Sequence, residues 1–196
     1  NPGVYQVQSM PALTVQFYGF NARKPPFDDV RVRRAFSMAI DRQLIVDSVL
    51  DGLAVVAEHG VVAPGFQDYP YALVPGVAFD PDGARKLLAE AGYAGGRGLP
   101  TVFLQVNNSG FGYVKVAELV QTMFEKELGA RVISSVLPDE QHFRKGEMGE
   151  ALLWREGWIV DHPDPENFLA LFYGRSVPTD STAPSFLNST RYRNAQ

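Results

Sequence analysis

At 196 residues, 45% apolar and 20% charged, the chain has the balance of a globular fold and the length of one domain, or a large piece of one, that buries its own core. The absence of cysteine excludes a disulfide framework, a thiolate nucleophile and a cysteine-built zinc site. A formal net charge of −4 excludes the basic face of a nucleic-acid binder, and no stretch approaches the roughly 20 apolar residues of a membrane-spanning helix.

Residues 13–20 alternate Leu13, Val15, Phe17 and Gly19 against Thr14, Gln16 and Tyr18, which predicts a strand. Pro25-Pro26 imposes an extended turn, and Asp28 or Asp29 is placed to cap a helix beginning near Val30. Its apolar stripe is Val32, Ala35, Phe36, Ala39 and Ile40, with Arg31, Arg33 and Arg34 mostly on the wet side. Asp41 caps a second helix carrying Leu44, Ile45, Val49 and Leu50, which Gly52 ends. Residues 53–79 have no clear period and predict a long surface loop. Asp80-Pro81 starts a helix with proline at its first position, Ala84, Leu87, Leu88 and Ala91 form its buried stripe, and Gly92 stops it.

Beyond the flexible run 94–98 the pattern turns α/β. A strand over 101–106, a helix over 113–128 and a strand over 130–137, with Gly129 between the last two, predict a parallel pair joined by a right-handed crossover. A short helix follows from Pro138-Asp139-Glu140 to about Lys145, then a strand over 151–159 and a last helix from Asp164-Pro165 through Tyr173. The tail from Ser176 is rich in Ser, Thr and Pro and predicts a loop. The opening Asn1-Pro2-Gly3 has no initiator Met and the close is a polar run without a cap, so both ends are expected to be cut from a longer chain.

Little in this pattern supports catalysis. His59, His142 and His162 lie far apart, and none has a metal-binding spacing such as His-Glu-x-x-His. Asp161-His162 beside Asp164 and Glu166 suggests a base with an orienting acid, but no Gly-x-Ser-x-Gly elbow supplies a nucleophile. Gly110-Phe111-Gly112 begins a dinucleotide-type pattern and breaks it at Lys115, which leaves an ordinary strand-to-helix turn.

Three segments, taken together, carry more. The first runs Phe20-Asn21, then Pro25-Pro26-Phe27-Asp28-Asp29-Val30-Arg31-Val32-Arg33-Arg34-Ala35, and on through Ala39-Ile40-Asp41-Arg42 to Gly52. The second is Asp80-Pro81 through Ala84-Arg85-Lys86-Leu87-Leu88 to Gly92-Tyr93, and the third Gly157-Trp158-Ile159-Val160-Asp161-His162-Pro163-Asp164-Pro165 with Asn167-Phe168-Leu169. Their order and spacing resemble the dipeptide- and oligopeptide-binding proteins of ABC importers, the extracellular solute-binding proteins of family 5. The resemblance implies an α/β fold, a mixed sheet flanked by helices, of the type II periplasmic-binding kind. It implies that residues 1–196 are a single lobe, the second of two, with the first lobe absent.

The same resemblance implies what the chain does. The family closes two lobes on a solute and delivers it to a membrane permease, in the periplasm or, in Gram-positive bacteria, from a lipid anchor. In peptide-binding members the acidic residue of the Gly-Trp-x-x-Asp segment meets the solute's α-amino group, and Asp161 holds that place. Trp158 stands where the family lines its cleft, and Arg155 where some members meet the solute carboxylate; Gly157 lies between them. Physics allows such a grip at the carboxyl end of a strand: two opposite charges about 4 Å apart attract by about 4 kcal/mol at an effective dielectric of 20, much of it cancelled by desolvation. The bland alternatives are a turn residue for Asp161, a core ring for Trp158 and a surface or interlobe arginine for Arg155. No cofactor or metal is expected. Other members of the family take nickel complexes, oligosaccharides, glutathione or opines, so the solute stays open, and a hydrolase acting through Asp161, His162 and Glu166 is the rival from another class.

Overall fold

The computed structural model describes residues 12–194, so the opening Asn1-Pro2-Gly3 and the last two residues lie outside it. In chain order the elements are β1 (Thr14–Phe20), α1 (Val30–Met38), α2 (Arg42–Ser48), α3 (Pro81–Glu90), β2 (Val102–Asn107), α4 (Tyr113–Leu128), β3 (Val132–Leu137), α5 (Asp139–Glu147), β4 (Leu153–Ile159) and α6 (Glu166–Leu169). The predicted caps form. Asp29, rather than Asp28, accepts from the Arg31 amide, Asp41 from Leu44 and Asp80 from Gly83, each satisfying an amide the first helical turn leaves unpaired.

The four strands lie in the order β1-β4-β2-β3. β2 runs parallel to β3, as the strand-helix-strand pattern predicts, and parallel to β4, while β1 closes the sheet antiparallel to β4 from Thr14↔Ile159 to Phe20↔Leu153. The β2–β4 contact is short, only Leu104↔Leu153 and Gln105↔Trp154.

The alternation of each strand sorts its side chains between two faces. Leu104, Val106 and Leu153 face α1, α3 and α4 in the main core, where Val32, Phe36, Leu88, Val120 and Phe124 interdigitate with them. Phe36 is completely buried, with its ring 5.1 Å from Phe27 and 4.7 Å from Phe124. On the opposite face Gln105 and Trp154 meet α5, and Val15 joins Phe168, Val62 and Ala63 in a smaller cluster. The long segment over 53–79 is a loop, as its lack of period predicts, with one 3-10 turn at Tyr71–Leu73. It still contributes Val62 and Ala63 to that second cluster. The last predicted helix is shorter than its pattern suggests: α6 tightens into a 3-10 turn at Ala170–Phe172 and ends at Tyr173. The tail is irregular but packed, with Asn188 donating to the carbonyls of Tyr173 and Tyr192 and Thr190 accepting from the Ala22 amide.

Candidate functional site

The carboxyl ends of β2, β3 and β4 share one edge of the sheet, and chemistry-bearing side chains gather there. Val160 donates to Leu13, and Asn21 donates to Leu152. In an antiparallel pair, alternate residues turn both peptide groups to the partner. Residues 152, 154, 156, 158 and 160 therefore bond toward β1, while Leu153, Arg155, Gly157 and Ile159 turn the other way. Leu153 meets β2, and the Arg155 carbonyl accepts from His142 Nε2 at 2.8 Å. β2 then diverges, and among the described residues no strand pairs with Gly157 or Ile159 on that side. The second half of β4 is an open edge.

Arg155 sits at this edge, only 8% exposed, on the same face as Gln16 and Tyr18. Its guanidinium lies 3.6 Å from the centroid of the Tyr113 ring, donates to Gln16 Oε1 and reaches Asn107 Oδ1 at 3.4 Å. No carboxylate forms an ion pair with it among the described residues, and its Nε is buried without a partner. Burial pulls the guanidinium below its ordinary value. The Tyr18 hydroxyl, in register with Arg155, is likewise buried and unpartnered, and burial pushes it far up. This arginine is neither a surface nor a loosely held group.

Gly157 is small for a reason. A Cβ there would lie 2.6 Å from the Gln16 amide oxygen and 2.8 Å from Arg155 Nη2, so any side chain would push Gln16 off the guanidinium. Asn107 extends the network, donating to Asp139 Oδ1 at 2.9 Å and to Ser109 Oγ at 3.0 Å, and hydrogen bonding from Asn107 and from the Ser109 hydroxyl holds the Asp139 carboxyl below its usual range. Tyr113, the first residue of α4, is set by Gly112 in the left-handed conformation (φ 75°), which a side chain rarely adopts.

Trp158 points to the opposite face from Arg155 and is half-buried, so the two do not share one wall. Asn167 organises this side. Its Oδ1 accepts from Trp158 Nε1 at 2.6 Å and from the Asp161 amide at 3.3 Å, and its Nδ2 donates to His162 Nδ1 at 3.2 Å. One amide thus pins the tryptophan ring and the turn that carries Asp161. The Asp161 carboxylate lies two residues beyond β4, exposed, with no side-chain hydrogen bond or ion pair among the described residues. His162 bonds to Asn167 and not to Asp161 or Glu166, so the acid–imidazole pair of the hydrolase alternative is not formed. Among the described residues no cluster of three His, Asp or Glu side chains is placed to hold a metal ion.

The family profile of the bacterial extracellular solute-binding proteins, family 5, middle region, matches residues 1–179. The chain belongs to this family. Its likeness to family 5 relatives is spread along the chain: it is 31% identical to heme-binding protein A of Haemophilus influenzae over 193 residues, 94% of this chain and 33% of that protein. Among solved structures, a periplasmic oligopeptide-binding protein from Borrelia burgdorferi superposes with a TM-score of 0.80 at 30% identity, over 95% of this chain and 35% of that one. A dipeptide-binding protein from Pseudoalteromonas in complex with Met-Leu gives 0.75 at 27% identity, over 94% and 35%. The chain thus spans about a third of the length of its relatives, and its mixed sheet flanked by helices is the fold of type II periplasmic binding proteins. Gln16, Tyr18, Asn107, Tyr113 and Asn167 join the candidate site only through tertiary packing. Asn107 at a strand's carboxyl end and Tyr113 after a Gly-x-Gly turn were the signals available for two of them.

Proposed function

We propose that this chain is one lobe of a two-lobed, extracytoplasmic binding protein that captures short peptides for an ABC-type importer and presents them to the membrane permease. The observation that carries the proposal is the open edge of β4 between a buried, carboxylate-free arginine and an exposed, unpaired aspartate. An extended peptide adds to such an edge through main-chain bonds to the Gly157 carbonyl and to Ile159, the Gly157 amide donating to Glu156 Oε1, and such bonds hold any sequence alike. Asp161 takes its α-amino group and Arg155 its carboxylate. The six residue steps from Arg155 to Asp161 set an upper span of about 20 Å, which suits a solute of a few residues. Trp158 offers an aromatic wall that adds contact area without demanding one side chain. The membership in a family of solute-binding proteins, and the peptide in the Pseudoalteromonas complex, support the same reading.

Closure of a second lobe is what strips water from the charges and makes the anchors strong. Calorimetry on this chain alone and on the complete two-lobed protein tests that. The lone chain is expected to bind peptides far more weakly; equal affinity in the two would contradict the clamp.

A further inference from the structure

On the face of β4 opposite Arg155 lies a cavity of about 180 Å³ that the peptide-end anchors do not use. Its walls are aromatic, with Phe17, Phe143, Trp158 and Phe172 among the lining residues, and among the described residues its charged groups are Glu147 and Glu156. We propose that this cavity selects a cationic side chain, lysine- or arginine-like, from the bound solute. The proposal rests on the peptide-binding reading and names the solute class within it.

Three observations carry it. Along an extended peptide laid on the β4 edge, alternate side chains fall to each face of the sheet, and Glu156, Gly157 and Trp158, which line the cavity, belong to that strand. The charge is one-sided: among the described residues no Lys, Arg or His lines the cavity and neither glutamate has an ion-pair partner. The Glu156 carboxylate is also held in place, accepting from Trp154 Nε1 at 3.1 Å and from the Gly157 amide at 3.3 Å. Burial raises Glu156 above the usual carboxylate range against the opposing pull of its two hydrogen bonds and of Arg155, with a small further push from Glu147, and an incoming cation relieves that strain. The ring faces add attraction for the same charge, and the indole of Trp158 is fixed for it by Asn167.

The test is calorimetry of the complete protein with an alanine host peptide in which lysine, norleucine or glutamate replaces each residue in turn. At one position lysine should bind about tenfold tighter than the isosteric norleucine, and glutamate weaker than either. Glu156→Gln removes the charge while keeping an acceptor oxygen for one of the two donors, Trp154 Nε1 or the Gly157 amide, so the lysine-to-norleucine ratio should fall toward one; Glu147→Gln should lower it in part. A ratio that persists in Glu156→Gln, or no position that prefers lysine in the native protein, would overturn the proposal. Failure of the alanine host peptide itself to bind would instead overturn the peptide-binding reading on which it stands.

Discussion

Replacing Arg155 with methionine is expected to make the fold more stable and the binding worse. Methionine matches the arginine stem in length and fills the space against Tyr113 without a charge. The native arginine is only 8% exposed, and its guanidinium has no ion-paired carboxylate among the described residues and an unbonded Nε, so its desolvation is only partly offset by Gln16, Asn107 and the Tyr113 ring. Exchange of buried charges for apolar groups of similar volume commonly gains about 1–4 kcal/mol. The cost of retaining the charge makes sense where a solute carboxylate completes the arrangement. Affinity for peptides with a free carboxylate should therefore fall tenfold or more, and that for carboxamide peptides much less, since truncating one partner of a buried charge pair costs about 2–5 kcal/mol. Urea unfolding and calorimetry on the same variant give both numbers. A loss of stability with no change in carboxylate preference would make Arg155 a structural clamp for Gln16 and Asn107.

A second large effect belongs to the core. Phe36→Ala should lower the unfolding free energy by about 3–5 kcal/mol, because it empties a fully buried site shared by Phe20, Phe27 and Phe124 that rigid neighbours cannot collapse to fill. The exposed Val30 on the same helix gives the contrast: Val30→Ala should stay within about 0.5 kcal/mol. Equal losses at the two positions in urea unfolding would mean that the three-helix core is not where this lobe draws its stability.

Local signals were legible in the chain because their physics is local. Asp29, Asp41 and Asp80 cap helices through amides two or three residues away, and the β2–α4–β3 unit follows from periodicity and a glycine stop. The pairing of β1 with β4 was not legible. It joins Thr14 to Trp158 across 144 residues, and nothing in either strand names its partner. That pairing builds the site, since it sets Gln16 opposite Gly157 and Tyr18 opposite Arg155. The Gly157-Trp158 segment carried the family resemblance, and its three-residue offset already placed Arg155 and Trp158 on opposite faces of a predicted strand, but the burial of Arg155 was not legible. The role of Asn167 was hidden for the same reason: its three bonds converge from a strand, a turn and a histidine that share no periodicity. The buried His142 illustrates the reverse, a residue weighed in the sequence only as a metal ligand that instead bonds Gln105 and the Arg155 carbonyl, with burial holding its imidazole below the ordinary value.

The solute grip comes down to whether the lone carboxylate past β4 meets an ammonium group. The complete protein and its Asp161→Ala variant, each titrated calorimetrically with a peptide and its N-acetylated twin, decide this. Native protein should favour the free amine by tenfold or more, and the variant should bind both forms alike at the weaker level. Should the variant keep the preference for the free amine, or lose the two peptides to the same degree, Asp161 is not the anchor and the peptide is held some other way.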